Sequence, residues 1–263
     1  MKKEELQTIL ERFLRMPVNT ADGVFEAFSV LPGAVYGKGE GAMQRYVYVP
    51  GSRTDRILLV AHADTVWDQE YGGQAVQKLV FEDGVYKSGT PECGIGADDR
   101  GGCAMLWALK DSGHSLLILD GEEHGKIGAR YFRDSAPKLY KEANHHRFMM
   151  EFDWKRPGGC LYNQVDNSAL FKDYICRVLG CTDDQKNGGC DLQILCRRIC
   201  GVNVGIGYKN NHKPEEVLVL DGWVKAYEKI SEFLRADHPC FKIAAMKRLK
   251  GFCRRAARKV IKK

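Results

Sequence analysis

The chain has 263 residues, of which 44% are hydrophobic and 28% charged, and a formal net charge of +6. That length buries a sizeable core, as one large α/β domain or two small ones, and the composition excludes a disordered or fibrous protein. The longest apolar runs have strand length, short of the ~20 residues a membrane-spanning helix needs, so a transmembrane segment is excluded.

Met1-Lys-Lys-Glu-Glu-Leu6 lacks the apolar core of a secretory leader, which makes the cytoplasm the expected compartment. It reads instead as a surface helix with Leu6, Ile9, Leu10, Phe13 and Leu14 on one face. Gly23 to Val30 and Arg45 to Val49 read as strands, split by the Gly-rich stretch Gly37 to Gly41. Arg56 to Ala61 is an apolar strand that ends abruptly in His62, with the carboxylate of Asp64 two residues on. Gln77 to Ser88 reads as a hairpin because Asp83-Gly84 supplies its tight turn.

Next comes Gly94-Ile-Gly-Ala-Asp-Asp-Arg-Gly-Gly102, before a helical stretch from Cys103 to Lys110. A carboxylate at a helix N-terminus is favourable by ~0.3–1 kcal/mol. That explains one Asp of the pair, but not the second, nor the glycines that let the backbone pass close to something. Ser115-Leu-Leu-Ile-Leu-Asp120 is another buried-strand run and leads into Gly121-Glu122-Glu123-His124-Gly125. Arg147-Phe-Met-Met-Glu-Phe-Asp153 is a third, ending in an acid. A helix is expected from Asn167 to Leu179, a glycine turn at Gly188-Gly-Cys-Asp191 and a short strand from Val202 to Gly207. The loop Asn210 to Glu216 presents His212, and a closing helix carries Val217, Leu220, Val224, Tyr227, Ile230 and Leu234.

The ten cysteines form no C-x-x-C pair, although Cys176, Cys181, Cys190, Cys196 and Cys200 cluster in sequence. Reduced, mostly buried thiols are expected, with a disulfide or soft-metal site in the 176–200 region as the alternative. The charge is uneven: from Ala236 onward ten Lys or Arg face one acid, so this tail carries +9 and the first 235 residues −3. The tail, with Phe241, Ile243, Met246, Leu249, Phe252 and Val260, suits either a terminal helix packed on the body or contact with nucleic acid or an anionic membrane.

In an open α/β sheet the ligand crevice lies beyond the carboxyl ends of the strands. Three strand-like runs should therefore deliver His62, Glu122 or Glu123, and Asp153 to one rim. One polar strand end is ordinary; three, with the Asp98-Asp99 pair and His212, form a constellation. Hard oxygens with two imidazoles suit zinc, cobalt or manganese. His62, Asp98, Glu123, Asp153 and His212 are too many for one tetrahedral zinc but fit two ions, each with one His and one terminal carboxylate, sharing a bridging Asp. One of Glu122 and Glu123 can then bind metal while the other serves as general base, and Asp64 can fix the tautomer of His62.

The runs His62-Ala-Asp-Thr-Val66, Gly96-Ala-Asp-Asp-Arg-Gly-Gly102 and Asp120-Gly-Glu-Glu-His-Gly125 resemble the co-catalytic zinc exopeptidase and deacylase superfamily, with peptidase T, leucyl aminopeptidases and acetylornithine deacetylases among its members. Gly188-Gly-Cys-Asp191 is similar to the family's Gly-Gly-Thr-Asp turn, and His212 with Glu216 to its late His-x-x-x-Glu. The resemblance spans about residues 45 to 235.

It implies an α/β fold: a single three-layer domain with a mostly parallel mixed sheet and helices on both faces. It implies Asp98 as the bridging ligand, since Gly102 follows four residues later, with Asp99 the weaker candidate. His62 and Asp153 would complete one metal, Glu123 and His212 the other. Glu122 becomes the general base, Asp64 the orienter of His62, and the peptide after Asp98 is expected to be cis. The implied activity is that of a dinuclear metal-dependent amide hydrolase.

Many relatives insert a lid of about a hundred residues between the strand-end acid and the last His, whereas 58 residues separate Asp153 from His212 here. Residues 1–235 are thus expected to be a catalytic domain without that insert, and 236–263 a basic C-terminal tail. Lacking the insert, which often contacts a substrate carboxylate, the chain is expected to be an aminopeptidase on short peptides. An N-acyl amino acid deacylase or dipeptidase is the alternative, and a non-catalytic binding relative a third.

Overall fold

A computed structural model describes residues 1–68, 77–162, 165–185 and 188–243. The chain opens with helices α1 (Lys3–Leu14) and α2 (Asp22–Ser29) and strands β1 (Val35–Lys38), β2 (Arg45–Val49) and β3 (Leu58–His62). The hairpin β4 (Leu79–Glu82) and β5 (Val85–Ser88) precedes α3 (Ala97–Ala108) and β6 (Ser115–Leu119). Then follow α4 (Ile127–Ser135), α5 (Pro137–Ala143), β7 (Met149–Trp154), β8 (Gly159–Leu161), α6 (Ala169–Val178) and β9 (Thr182–Asp183). The chain continues through α7 (Leu192–Leu195), β10 (Gly201–Gly205), β11 (Tyr208–Lys209), β12 (Val217–Val219) and α8 (Leu220–Arg235).

The large sheet runs β1-β2-β6-β3-β7-β10-β8-β9. Its centre, β6-β3-β7-β10, is parallel, whereas β1, β2 and β8 pair antiparallel to their inner neighbours. Successive strand residues face opposite sides, and this alternation builds two cores. Leu59, Ala61, Leu116, Ile118, Met150 and Phe152 pack in one cluster with residues of α1, α2, α3, α6 and α8. Leu58, Val60, Leu117, Leu119 and Met149 pack in the other with residues of α4, α5 and α7. The sheet is covered on both faces, which is why every residue of β3 and β6 is buried and these strands read as unbroken apolar runs. The fold is the expected three-layer α/β arrangement with a mostly parallel mixed sheet.

Two sequence expectations need correction. Gly23 to Val30 is not a strand: Asp22–Ser29 is helical and buries Val24, Phe25, Ala27 and Phe28 at helical spacing while Glu26 stays exposed. Aromatic and β-branched content suggested a strand, but the one-sided apolar stripe decides the structure. The closing helix also begins at Leu220, not Val217, because Val217–Val219 pairs with β5 in a second sheet, β11-β12-β5-β4. The hairpin forms as expected, with Asp83 at φ 48° and Gly84 at φ 78°.

Residues just beyond α8 lie back on the body. Phe241 stacks among Phe148, Phe171 and Tyr174, and Lys242 bridges to Ile199. The proposed contact of the basic tail with nucleic acid or membrane falls mostly on 244–263, outside the described residues. Among the described residues no helix is long and apolar enough to cross a membrane.

Candidate active site

The three adjacent parallel strands β6, β3 and β7 end at one rim. His62 is the last residue of β3, Glu122 and Glu123 follow β6, and Asp153 lies near the end of β7. Asp98 arrives from the start of α3, and His212, at φ 63°, from the loop between β11 and β12. The residues singled out in the sequence therefore converge.

Asp98 stands between the two imidazoles. Its Oδ1 is 3.2 Å from His62 Nε2 and its Oδ2 3.2 Å from His212 Nε2. Asp153 Oδ1 lies 3.8 Å from His62 Nε2, and Glu123 Oε1 2.7 Å from His212 Nε2. Asp98 thus turns one oxygen to each imidazole, with Asp153 beside His62 and Glu123 beside His212, while His62, Asp98 and Glu123 also bring ligand atoms within 4.8 Å of one another. Ligand atoms ~2.0–2.2 Å from a common metal stand roughly 3–3.5 Å apart, a range that the two 3.2 Å separations from Asp98 meet and the 2.7 Å and 3.8 Å pairs bracket.

Asp64 organises the His62 side from behind. Its Oδ1 is 3.3 Å from His62 Nδ1 and accepts from the Glu122 amide at 3.1 Å, while Oδ2 accepts from the Glu123 amide at 3.2 Å. One buried carboxylate thereby fixes both the imidazole and the turn that splays the two glutamates apart. Glu123 turns to His212, and Glu122 forms an ion pair with Lys126 Nζ at 3.0 Å.

Asp99 serves the backbone: it accepts from the amides of His62 (3.2 Å) and Gly102 (2.9 Å). The peptide between Asp98 and Asp99 is cis, as the resemblance implies. A Cβ on Gly102 would stand 2.3 Å from Asp99 Oδ1 and 2.5 Å from the Phe152 carbonyl, which accounts for glycine there.

The electrostatics follow from crowding acids in a dry place. Burial pushes Glu123 up to about 7, with Asp98 adding to the rise, and burial and Asp98 together push Asp153 well above the carboxylate range. Asp98 goes the other way: burial opposes its charge, but hydrogen bonds from His212 and His62 hold it far down. His212 is raised to about 10 by Asp98 and then Glu123. Burial disfavours a charged His62, yet Asp153, Asp64 and Asp98 overcome it and raise its pKa. The rim is thus an anionic cluster short of positive charge.

Several neighbours of this cluster were not singled out in the sequence. Tyr208 donates its hydroxyl to Asp153 Oδ1 at 3.1 Å, and Asn203 Oδ1 takes the Asp153 amide at 2.9 Å. Asn211 donates to Asp98 Oδ2 at 2.9 Å. Glu216, noted only as part of a resemblance, accepts the Asp98 amide at 3.1 Å; burial and Asp98 raise it to about 8. Glu151 shares a face of β7 with Asp153 and accepts the Asp191 amide at 3.2 Å, so two further buried carboxyls sit behind the rim. A glutamate inside the run Arg147-Phe-Met-Met-Glu-Phe-Asp153 was the signal for the last of these.

No protein-family model and no curated protein matches the sequence. Solved structures do match. Aminopeptidase PepT from Bacillus cereus superposes with a TM-score of 0.66 at 14% identity, over 89% of this chain and 98% of that one. A tripeptidase from Staphylococcus aureus gives the same values. An aminopeptidase from the archaeon Desulfurococcus kamchatkensis follows at 0.62 and 13%, covering 90% and 96%. The likeness is one of fold.

Proposed function

We propose that the chain is a metal-dependent hydrolase that cleaves an amide bond, an aminopeptidase acting on short peptides. The observation that carries this reading is the Asp98 carboxylate, with one oxygen turned to each of two imidazoles and a terminal carboxylate beside each. The donor set is imidazole and carboxylate without thiolate, which fits zinc, and cobalt or manganese by the same chemistry. His62 and Asp153 would hold one ion, Glu123 and His212 the other, and Asp98 would serve both. When bound, two divalent ions supply polarisation of the scissile carbonyl and a water acidified toward neutrality.

The residues around that centre divide the remaining work. Glu122, held next to Glu123 by the turn that Asp64 fixes, would take the proton of the attacking water and deliver it to the leaving amine. Asp64 holds the His62 ring through Nδ1. The folds that match belong to an aminopeptidase, a tripeptidase and a second aminopeptidase, which supports peptide as the substrate class. All nine described cysteines are free, in keeping with a reducing cytoplasmic setting. Residues 1–235 would form the catalytic domain.

One observation favours the N-acyl amino acid deacylase or dipeptidase reading: Lys126, partly buried and ion-paired with Glu122, is a cation next to the rim that would suit a substrate carboxylate. The test is metal analysis of the purified protein with a panel of aminoacyl amides, dipeptides, tripeptides and N-acetyl amino acids. Release of free N-terminal residues from tripeptides supports the aminopeptidase. Release of acetate, or cleavage confined to dipeptides, supports the second reading. Metal binding without any hydrolysis would leave a binding relative and end both.

A further inference from the structure

At the β8–β9 edge of the large sheet, three cysteines from three elements converge. Cys160 lies in β8, Cys181 immediately precedes β9, and Cys176 is on the last turn of α6. Their sulfurs all lie within 4.8 Å of one another, and Cys160 Sγ and Cys181 Sγ, 2.7 Å apart in a thiol–thiol contact, must part to roughly 4 Å to share one ion. The Tyr162 hydroxyl, buried against the same point, has sulfur partners at 3.8 Å (Cys176) and 3.9 Å (Cys181). We propose that Cys160, Cys176 and Cys181 form a soft-metal site that binds one Cu(I) ion through three thiolates.

The donor chemistry favours this ion. Structural zinc is almost always four-coordinate, with Cys or His completing the tetrahedron; among the described residues three sulfurs converge here and no imidazole joins them. Three soft sulfurs in apolar surroundings suit Cu(I). The pocket belongs to the apolar core, with Phe171, Ile175 and Leu179 in the same cluster. It also has a route in, since Cys160 and Cys181 are buried but Cys176 is half-exposed.

Positive charge stands where thiolates would need it. Lys229 Nζ donates to the Gly180 carbonyl at 2.7 Å, next to Cys181, and Lys172 Nζ lies 5.1 Å from the centre of the Tyr162 ring. The hydrogen bond between Cys160 and Cys181 holds Cys181 below the ordinary thiol range and, with burial, pushes Cys160 well above it, so the ion must displace the Cys160 proton. Binding exchanges the ion from its carrier ligand, releases the thiol protons to solvent and changes no oxidation state. Fifteen residues separate the first two cysteines and four the last two, so sequence spacing gave no C-x-x-C signature.

The test uses the full chain, reduced and kept under argon, titrated with Cu(I) in competition with a chromogenic Cu(I) chelator. We expect one equivalent to leave the chelator, a thiolate-to-copper charge-transfer band to appear, and the Tm to rise by roughly 5–10 °C. Cys176→Ser, chosen because that residue is half-exposed and its loss leaves the core intact, should abolish all three changes, whereas Cys240→Ser and His62→Ala should retain them. X-ray absorption should show three sulfurs around the copper. Equal uptake by wild type and Cys176→Ser would overturn the assignment, as would Zn(II) binding at these thiols while Cu(I) stays on the chelator.

Discussion

The two ends of β3, β6 and β7 both carry buried histidines, in opposite electrostatic states. At the carboxyl ends His62 meets Asp64, Asp98 and Asp153, and its pKa is raised. At the amino ends His114 and His146 meet no carboxylate oxygen within hydrogen-bonding distance among the described contacts. His114 Nδ1 accepts the Ile57 amide at 3.0 Å and its Nε2 faces the Leu234 carbonyl. His146 Nε2 is 2.8 Å from Ser115 Oγ, and its Nδ1 faces the Glu142 and Ala143 carbonyls. Burial lowers both, His146 to about 4. A buried histidine is thus charged or neutral according to its partners: neutral groups and burial depress it, and a ring of acids raises it.

The most severe way to break this contrast is to remove the shared acid. Asp98→Ala should release both ions, read by metal analysis, and lower kcat/KM by at least about 10⁴-fold, since the acid touches both imidazoles. Retained metal with retained turnover would refute the sharing. Glu122→Gln should separate binding from chemistry: metal content stays, and kcat falls about 10²–10⁴-fold with KM little changed. Asp64→Asn is gentler. It weakens the hold on His62 Nδ1 and on the turn carrying Glu122 and Glu123, so metal affinity should drop roughly 10–100-fold in a chelator competition.

The rim was legible because each of its strands is a buried apolar run that breaks on a charged residue, and parallel strands in one sheet deliver such breaks to the same place. His62, Glu122, Glu123 and Asp153 announce themselves in this way. Asp98 and His212 arrive from a helix start and a loop, and adjacency alone does not separate Asp98 from Asp99. The structure does, by committing Asp99 to backbone amides. Tyr208 and Asn203 were silent because their roles arise from the pairing of β7 with β10 and the placing of β11, which local pattern does not encode. The helix at Asp22–Ser29 was legible but misread. The spacing of Val24, Phe25, Ala27 and Phe28 already fits a helical stripe, which packs in one core with residues of β2 and α1.

The smallest expected effect sharpens the other end of the comparison. A histidine whose folded pKa is depressed binds its proton in the unfolded chain first. The stability it contributes is therefore complete above the unfolded value, ~6.5, and drains away as pH falls toward about 4. Between pH 7 and pH 5 His146 should cost the wild type about 2 kcal/mol of unfolding free energy. His146→Gln offers an uncharged amide to the Ser115 hydroxyl and has no proton to gain. Urea unfolding across that range should show the acid loss reduced by about the same amount, with metal content at pH 7 unchanged. An unaltered pH slope would mean that the amino-end histidine is no more neutral than the one at the rim.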